Sequence, residues 1–536
     1  MRDISRRSFL GGTALTASTL LAACGQQAGD SANNEDKKVV RFGMGALGAP
    51  LDMQKNGMSV AGTLTDLVFE GLLTWTDDLE LVPTLLVAVP EFEADGVTLP
   101  CELVSGVKFH DGSNLTSADV KSTFERMFEP TSGAGNYANY LQIKGAREML
   151  AGERDNLDEG IVIADDTHFS FVLAEPSATF VPSLGINYAH IFPHEACAAA
   201  GDNWGVGTDA IGTGKFKLVS NDDTTEAVFE RFDDYHGEPA TLDEARVIYY
   251  ADANTKLLAF KNGDIDWCDI GFSLYGQYKD DPDFVGNTYP YLPLGLQFVN
   301  LNLHDEQLAD VRVREALSLA INRQELVDTI MDGQGQAASG FLTPQIPGFD
   351  EGIDAFAYDP ERARELLSEA CPDGLTLDFR TRALFATVAE AIQGYWQAVG
   401  VTVDLQQMDN GIFMEDWAAG NLQVLVNGWF ADYPGGDGLL SYFETTNAAN
   451  HGCFYANEEF DQLMAEARVE LDSGRQADLY RQADDIASRQ DYAMLPILYP
   501  HYNYAAKPYV LGHKVGNMSF HMANLDVDAS DPSYRG

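Results

Sequence analysis

Beyond residue 38 the chain keeps changing its hydrophobic period. Val39-Val40-Arg41-Phe42-Gly43 reads as a strand. From Thr63 onward, Leu64, Leu67, Val68 and Leu72 fall on one helical face. Residues 103–109 read as a strand closed by His110-Asp111-Gly112, and Thr116 with Asp119 forms a capping box for a helix through Val120, Phe124 and Met127. Strands follow at 169–173 and 247–250, a helix at 255–260, and a long apolar extended segment at 294–303. Val313, Ala316, Leu317, Ala320 and Ile321 mark the buried face of a helix over 311–321. Asn322 with Glu325 caps the next helix, and Asp359-Pro360 opens another with proline at its first position. Helix and strand alternate to Pro496, which predicts an α/β chain without internal repeats.

One stretch carries candidate chemistry. Residues 422–426 read as a buried strand, followed by Gly428-Trp429-Phe430-Ala431-Asp432-Tyr433-Pro434-Gly435-Gly436. A strand end would thus present a tryptophan and a carboxylate, where ligands of open α/β sheets sit. A carboxylate beside aromatics suits a ligand ammonium. The plainer alternative is a surface loop whose aspartate caps its own turn.

The first residues are not fold. Ser5-Arg6-Arg7-Ser8-Phe9-Leu10 is a twin-arginine export signal, followed by a short apolar run to Ala23. Leu21-Ala22-Ala23-Cys24 matches a lipobox, so residues 1–23 are expected to be removed and Cys24 lipidated. Residues 24–37 read as the lipidated tether. No later stretch is long and apolar enough to span a bilayer as a helix. Of 536 residues 45% are hydrophobic, so a large core is available. With 34 basic against 82 acidic residues the net charge is −48, which excludes nucleic acid as a partner.

Six cysteines, one of them Cys24, leave an odd number and wide spacing, against a disulfide framework or paired-cysteine zinc site; a single disulfide stays open. His190, His194, Glu195 and Cys197 are the one ligand-like cluster, but Pro193 keeps the histidines off a shared helical face, and no metal is expected. Gly43-Met44-Gly45-Ala46-Leu47-Gly48 spells GxGxxG without the helix that a dinucleotide site needs, and Ile211-Gly212-Thr213-Gly214-Lys215 lacks Walker spacing. No cofactor is expected. GxSxG, HExxH and a Ser-x-x-Lys set with its partner motifs are missing from the sequence, so the expectation is a non-catalytic protein.

Several landmarks occur in a telling order: Leu51-Asp52, Phe69-Glu70-Gly71-Leu72, Val107 to Gly112 with Leu115 to Val120, Gly212-Thr213-Gly214, Asp310 to Leu317, and Tyr395 to Val401. With these the chain resembles the extracellular solute-binding proteins of family 5, the dipeptide and oligopeptide binders of ABC importers. Asn136-Tyr137-Ala138-Asn139-Tyr140-Leu141 and the segment from Ala164 to Pro176 resemble the oligopeptide binders in particular. The resemblance implies a three-lobed, type II-like periplasmic binding protein fold with a ligand cleft between two hinged lobes. Lobe I would comprise 38–68, 208–285 and 508–536, lobe II (inserted) 69–207, and lobe III 286–507. It implies capture of a short peptide as an added strand and delivery to permease subunits. In the family an aspartate near a lobe III strand end takes the peptide amino group. Asp432 falls on that position, Gly428, Trp429 and Phe430 on the strand that pairs with the peptide, and Tyr433 beside it. Gly57, Met58 and Ser59 match the lobe I segment facing the peptide, and Tyr140 an aromatic that packs on it. Where relatives carry basic residues for the peptide carboxylate this chain has Val426 and Trp417. Arg380 and Arg382 are the nearest replacements, and Arg382 is the expected contact. The protein is expected to be a monomer, exported and lipid-anchored to the outer face of the cytoplasmic membrane. The alternative left open is the same fold holding a nickel chelate, haem or sugar.

Overall fold

The computed structural model describes residues 37–57, 59–222, 224–271, 274–513 and 521–536. The signal segment, Cys24, the tether as far as residue 36, and Met58 lie outside the described residues.

Two large mixed sheets organise the α/β fold. The first has seven strands, in the order Thr288–Tyr291, Tyr502–Ala506, Trp267–Ile270, Val39–Met44, Glu244–Tyr249, Glu226–Arg231, Phe216–Asp222. Val39–Met44 runs parallel to both neighbours, and the other pairs are antiparallel. The second has six, in the order Gly335–Ala337, Met494–Pro500, Gly295–Leu301, Val424–Phe430, Thr376–Thr381, Thr402–Gln407. Gly295–Leu301 and Met494–Pro500 are buried at every position, because cores lie on both faces of this sheet. That is why these segments read as apolar runs without alternation. One face packs on helix Ala386–Ala398 through Val388, Ile392 and Trp396; the other packs on Glu458–Val469 and Ser473–Asp485.

The chain passes between the large sheets at residues 292–294 and at His501. Strands Thr288–Tyr291 and Tyr502–Ala506 therefore lie in the first sheet, inside the ends expected for lobe III. A smaller unit is inserted after the first helix. It holds the three-stranded sheet of Thr98–Glu102, His168–Val172 and Ile161–Ile163, the hairpin of Leu73–Trp75 and Leu81–Pro83, and its own core.

Local expectations differ from the structure in informative ways. The first helix runs Ser59–Val68, so Leu72 lies beyond it in the inserted unit's core. The strand expected over 103–109 does not form; the strand here is Thr98–Glu102, and Gly106, at φ 78°, turns the chain where the pattern suggested a strand. Thr116, Asn322 and Asp359 cap helices as expected. Gly212 and Gly214 pack against the carbonyls of Val68 and Leu67, where a Cβ has no room. Their role is close approach of a loop to a helix end. Cys101, Cys197, Cys268, Cys371 and Cys453 are free thiols. His190 faces Asp66 at 3.5 Å and His194 pairs with Asp119 at 2.6 Å. No metal-holding cluster occurs among the described residues, and no helix among them is long and apolar enough to cross a membrane.

Candidate ligand site

The site is built on the strand Val424–Phe430, longer than the expected 422–426. It pairs with Gly295–Leu301 along its whole length, from Leu301 opposite Val424 to Gly295 opposite Phe430. On its other side Thr376–Thr381 accompanies it only at Val424 and Leu425. From Val426 onward that edge has no neighbouring strand among the described residues. An open row of backbone donors and acceptors can take an added strand. Gly428 lies in this open part, and a Cβ there would sit 3.4 Å from the Phe385 ring. The glycine that reads as a break is thus an in-strand position that leaves room beside the edge.

Ala431 N–H donates to the Leu294 carbonyl at 2.7 Å and holds the strand direction up to Asp432. Tyr188 O–H donates to the Asp432 carboxylate at 3.1 Å, and the Asn139 amide also supports it. These residues stand on two single turns of the inserted unit, Asn187–Ala189 and Ala138–Tyr140. Burial raises the Asp432 carboxyl to about 6, with the Tyr188 and Asn139 hydrogen bonds pulling the other way. No cation stands among the groups that act on it. A buried carboxylate held by neutral donors alone is ready for a positively charged partner.

Its surroundings are firmly placed. Tyr433 is buried, donates to Asp437 at 2.6 Å, and stacks on Trp75 with centroids 6.3 Å apart. Trp429 donates through Nε1 to the Gly438 carbonyl at 2.9 Å and meets Tyr442 and His451 edge-on. Phe430 is 41% exposed, its ring 6.2 Å from that of Tyr502. Gly57 comes to the same place from the first sheet's side; a Cβ on it would lie 3.6 Å from Tyr188 Oη. Met58 lies outside the described residues, and Ser59 opens the first helix. Tyr140 is wholly buried, donates to the Ser183 carbonyl at 2.9 Å and packs on Phe124, so its ring stands behind Asn139.

The two candidate arginines differ. Arg380 pairs with Asp378 and, at 3.6 Å, with Asp404. Arg382 has no carboxylate partner among the described residues. Its guanidinium donates to Asn427 Oδ1 at 2.6 Å and Asn410 Oδ1 at 3.2 Å, and lies over the Phe385 and Phe413 rings.

Tyr188 and Asn139 were not singled out by sequence reasoning. The shared trace is an Asn-Tyr pair on each of the two turns, Asn139-Tyr140 and Asn187-Tyr188. Trp75 was also missed; it sits 358 residues before its stacking partner Tyr433.

The family model described as bacterial extracellular solute-binding proteins, family 5 Middle, matches residues 80–451. The periplasmic oligopeptide-binding protein OppA of Haemophilus influenzae is 26% identical, over 83% of this chain and 85% of its own length. Heme-binding protein A of the same organism is 25% identical, over 75% of this chain and 76% of its own. The periplasmic binding protein DppA of Helicobacter pylori, solved in complex with peptide STSA, superposes with a TM-score of 0.78 at 22% identity, covering 92% of this chain and 98% of that one. The α/β architecture is therefore that of the periplasmic peptide-binding proteins.

Proposed function

The chain belongs to the bacterial extracellular solute-binding proteins of family 5, and from that premise we propose that it is the peptide receptor of an ABC importer. It captures a short peptide between the two large sheets, pairs the peptide backbone with the open edge of Val424–Phe430, and releases it to the permease without chemical change. One observation carries this reading. A strand edge without a neighbour ends at a buried carboxylate, Asp432, that only neutral donors hold. A peptide ammonium supplies the missing charge, and its backbone supplies the missing strand. The relatives named for oligopeptide binding support the same reading. The border expected between lobes I and III then shifts from 285/286 and 507/508 to the chain crossings near 292–294 and 501, which act as the hinge, and the inserted lobe is 69–207.

The test is mass spectrometry of acid-released ligand from the natively purified protein, paired with Asp432→Ala. A ladder of short peptides is the expected finding. Losing a charge-assisted hydrogen bond of about 1.5–3 kcal/mol should weaken peptide binding about ten- to a hundredfold in the variant. Equal affinity in both proteins would sink amine capture. The relative named for haem binding motivates a second reading, a non-peptide solute in the same cleft. A Soret band on the purified protein in place of released peptides would bring it forward.

Export by the twin-arginine signal and anchoring through a lipid on Cys24 belong to the same proposal. Cys24→Ser should move the protein from the membrane fraction to the soluble fraction.

A further inference from the structure

The site strand ends on a chain crossing. Its last residue, Phe430, lies opposite Gly295, the first residue of the neighbouring strand, where the chain has just left the first sheet. A Cβ on Gly295 would collide with the Phe430 ring and come within 2.6 Å of the Trp429 carbonyl oxygen. The ring therefore fills the space of a side chain at the crossing, in a socket that glycine leaves open. Beyond it stands Tyr502, with ring centroids 6.2 Å apart, and Tyr502 packs on its register partner Tyr291 at 5.7 Å. Tyr291 and Tyr502 are the first-sheet residues that flank the two crossings.

Hydrogen bonds fasten the crossing at 292–294 to the second sheet. The Leu292 carbonyl accepts from the Gln345 amide at 2.9 Å, that of Pro293 from Gly295 N–H at 2.8 Å, and that of Leu294 from Ala431 N–H at 2.7 Å. The bend of the proposed hinge therefore falls between Tyr291 and Leu292, with its counterpart at His501. Phe430 rides on one side of that bend and Tyr502 on the other. The backbone of Phe430 faces elsewhere. Ala431 N–H points at Leu294, so by the two-residue alternation of a strand the N–H and C=O of Phe430 and of Gly428 point to the open edge. A strand added there bonds Phe430 by its backbone while the ring rests on the hinge.

We propose that Phe430 is the positioning residue through which an occupied edge closes the hinge, with Gly295 as its socket and the Tyr502 ring as the surface it bears on. This rests on the peptide-receptor reading and adds the part that passes binding on to closure. Without a ligand, the Phe430 backbone is paired from one side only among the described residues. A paired ligand holds it from both sides and keeps the ring seated against Gly295. That favours the lobe angle at which the seated ring also packs on Tyr502. A contact made at one lobe angle and lost at the other is the differential interaction by which a ligand shifts such a balance.

The test uses the full chain with tri-alanine as the probe. Two quantities are read: the change in radius of gyration between free and saturated protein, and the rate of peptide release. The native protein should contract on saturation. Gly295→Ala displaces the ring, yet residue 295 lies behind the site strand and does not touch a ligand on the open edge. Tyr502→Leu keeps an apolar side chain, removes the ring, and serves if Gly295→Ala does not fold. In either variant saturating tri-alanine should give about half the native contraction or less. Release should be about tenfold faster, with association within about twofold of native, because the competent closed state is depopulated. The two substitutions combined should do no more than the stronger one alone, since both cut the same link. Full contraction in both variants, whatever their affinity, would overturn the proposal and leave peptide capture standing. Additive effects in the double variant would overturn it too, as would a native protein that binds tri-alanine without contracting. If tri-alanine does not bind and no peptide is released from the purified native protein, the proposal and the receptor reading fall together.

Discussion

Asp432 gives the ligand affinity a pH signature. In the free protein its carboxyl titrates near 6, raised by burial. A bound ammonium holds it ionised to lower pH, so binding below pH 6 must expel a proton. Affinity should therefore fall as pH drops through 6, approaching tenfold per unit until the bound-state pKa is reached. On the alkaline side the peptide amine titrates from about 7.7–8.0, so affinity should be highest between about pH 6 and 8. Calorimetry in buffers of different ionisation enthalpy reads both the affinity and the proton count. A flat profile from pH 5 to 7 would remove Asp432 from the binding step. At this scale one half of the candidate site was legible in the sequence. Asp432 was legible because a strand and a Tyr-Pro-Gly-Gly turn bracket it. Tyr188 and Asn139 were not, because each stands on a single turn without periodicity and meets Asp432 only through tertiary folding.

At the scale of elements, the proposed added-strand mode puts the interaction on the site strand's backbone, which has a consequence for chemically altered ligands. In an antiparallel pair alternate residues exchange hydrogen bonds with the neighbour while the others face away. A tripeptide has two amide N–H groups, so one should point at the strand and one away. N-methylation of the inward amide removes a hydrogen bond worth about 1 kcal/mol and adds a clash, for a loss of about fivefold or more. Methylation of the outward amide should change affinity little. Competition assays with the two mono-methylated tripeptides decide this, and equal effects would exclude strand addition. The hydrophobic pattern ended the strand at Val426, since glycine and the following aromatics resemble a turn entry, and only the family resemblance carried it on through Gly428 to Phe430. Tertiary context overrides the local signal here: Gly295–Leu301 accompanies the strand to Phe430. The doubly covered strand Gly295–Leu301 was legible as an apolar run, but its partner Met494–Pro500 was not, because pairing across about two hundred residues leaves no periodic trace.

The whole molecule is closed by more than its two large sheets. The inserted unit reaches across to the second sheet's side at four places. Trp75 stacks on Tyr433, Tyr188 bonds Asp432, Ala178 N–H donates to the Arg468 carbonyl at 2.7 Å, and Leu79 packs against the core beneath Trp429 and Tyr442. Leu79 does so with φ at 60°, an uncommon conformation for a leucine that the tight hairpin tip imposes. These contacts favour closure independently of the ligand, so removing one should raise the population of an open form. A receptor whose competent state is partly depopulated binds with an affinity reduced by that fraction. An aromatic pair contributes about 0.5–1.5 kcal/mol beyond its burial, so Trp75→Ala should weaken peptide binding about two- to tenfold, mainly through faster release. Small-angle scattering should show a larger radius of gyration for the ligand-free variant than for the native protein, and saturating peptide should restore the compact value, because ligand binding adds stability only to the closed state. If the variant scatters like the native protein and releases peptide at the same rate, Trp75 plays no part in closure, and the two chain crossings near 292–294 and 501 set the lobe arrangement without help from the inserted unit.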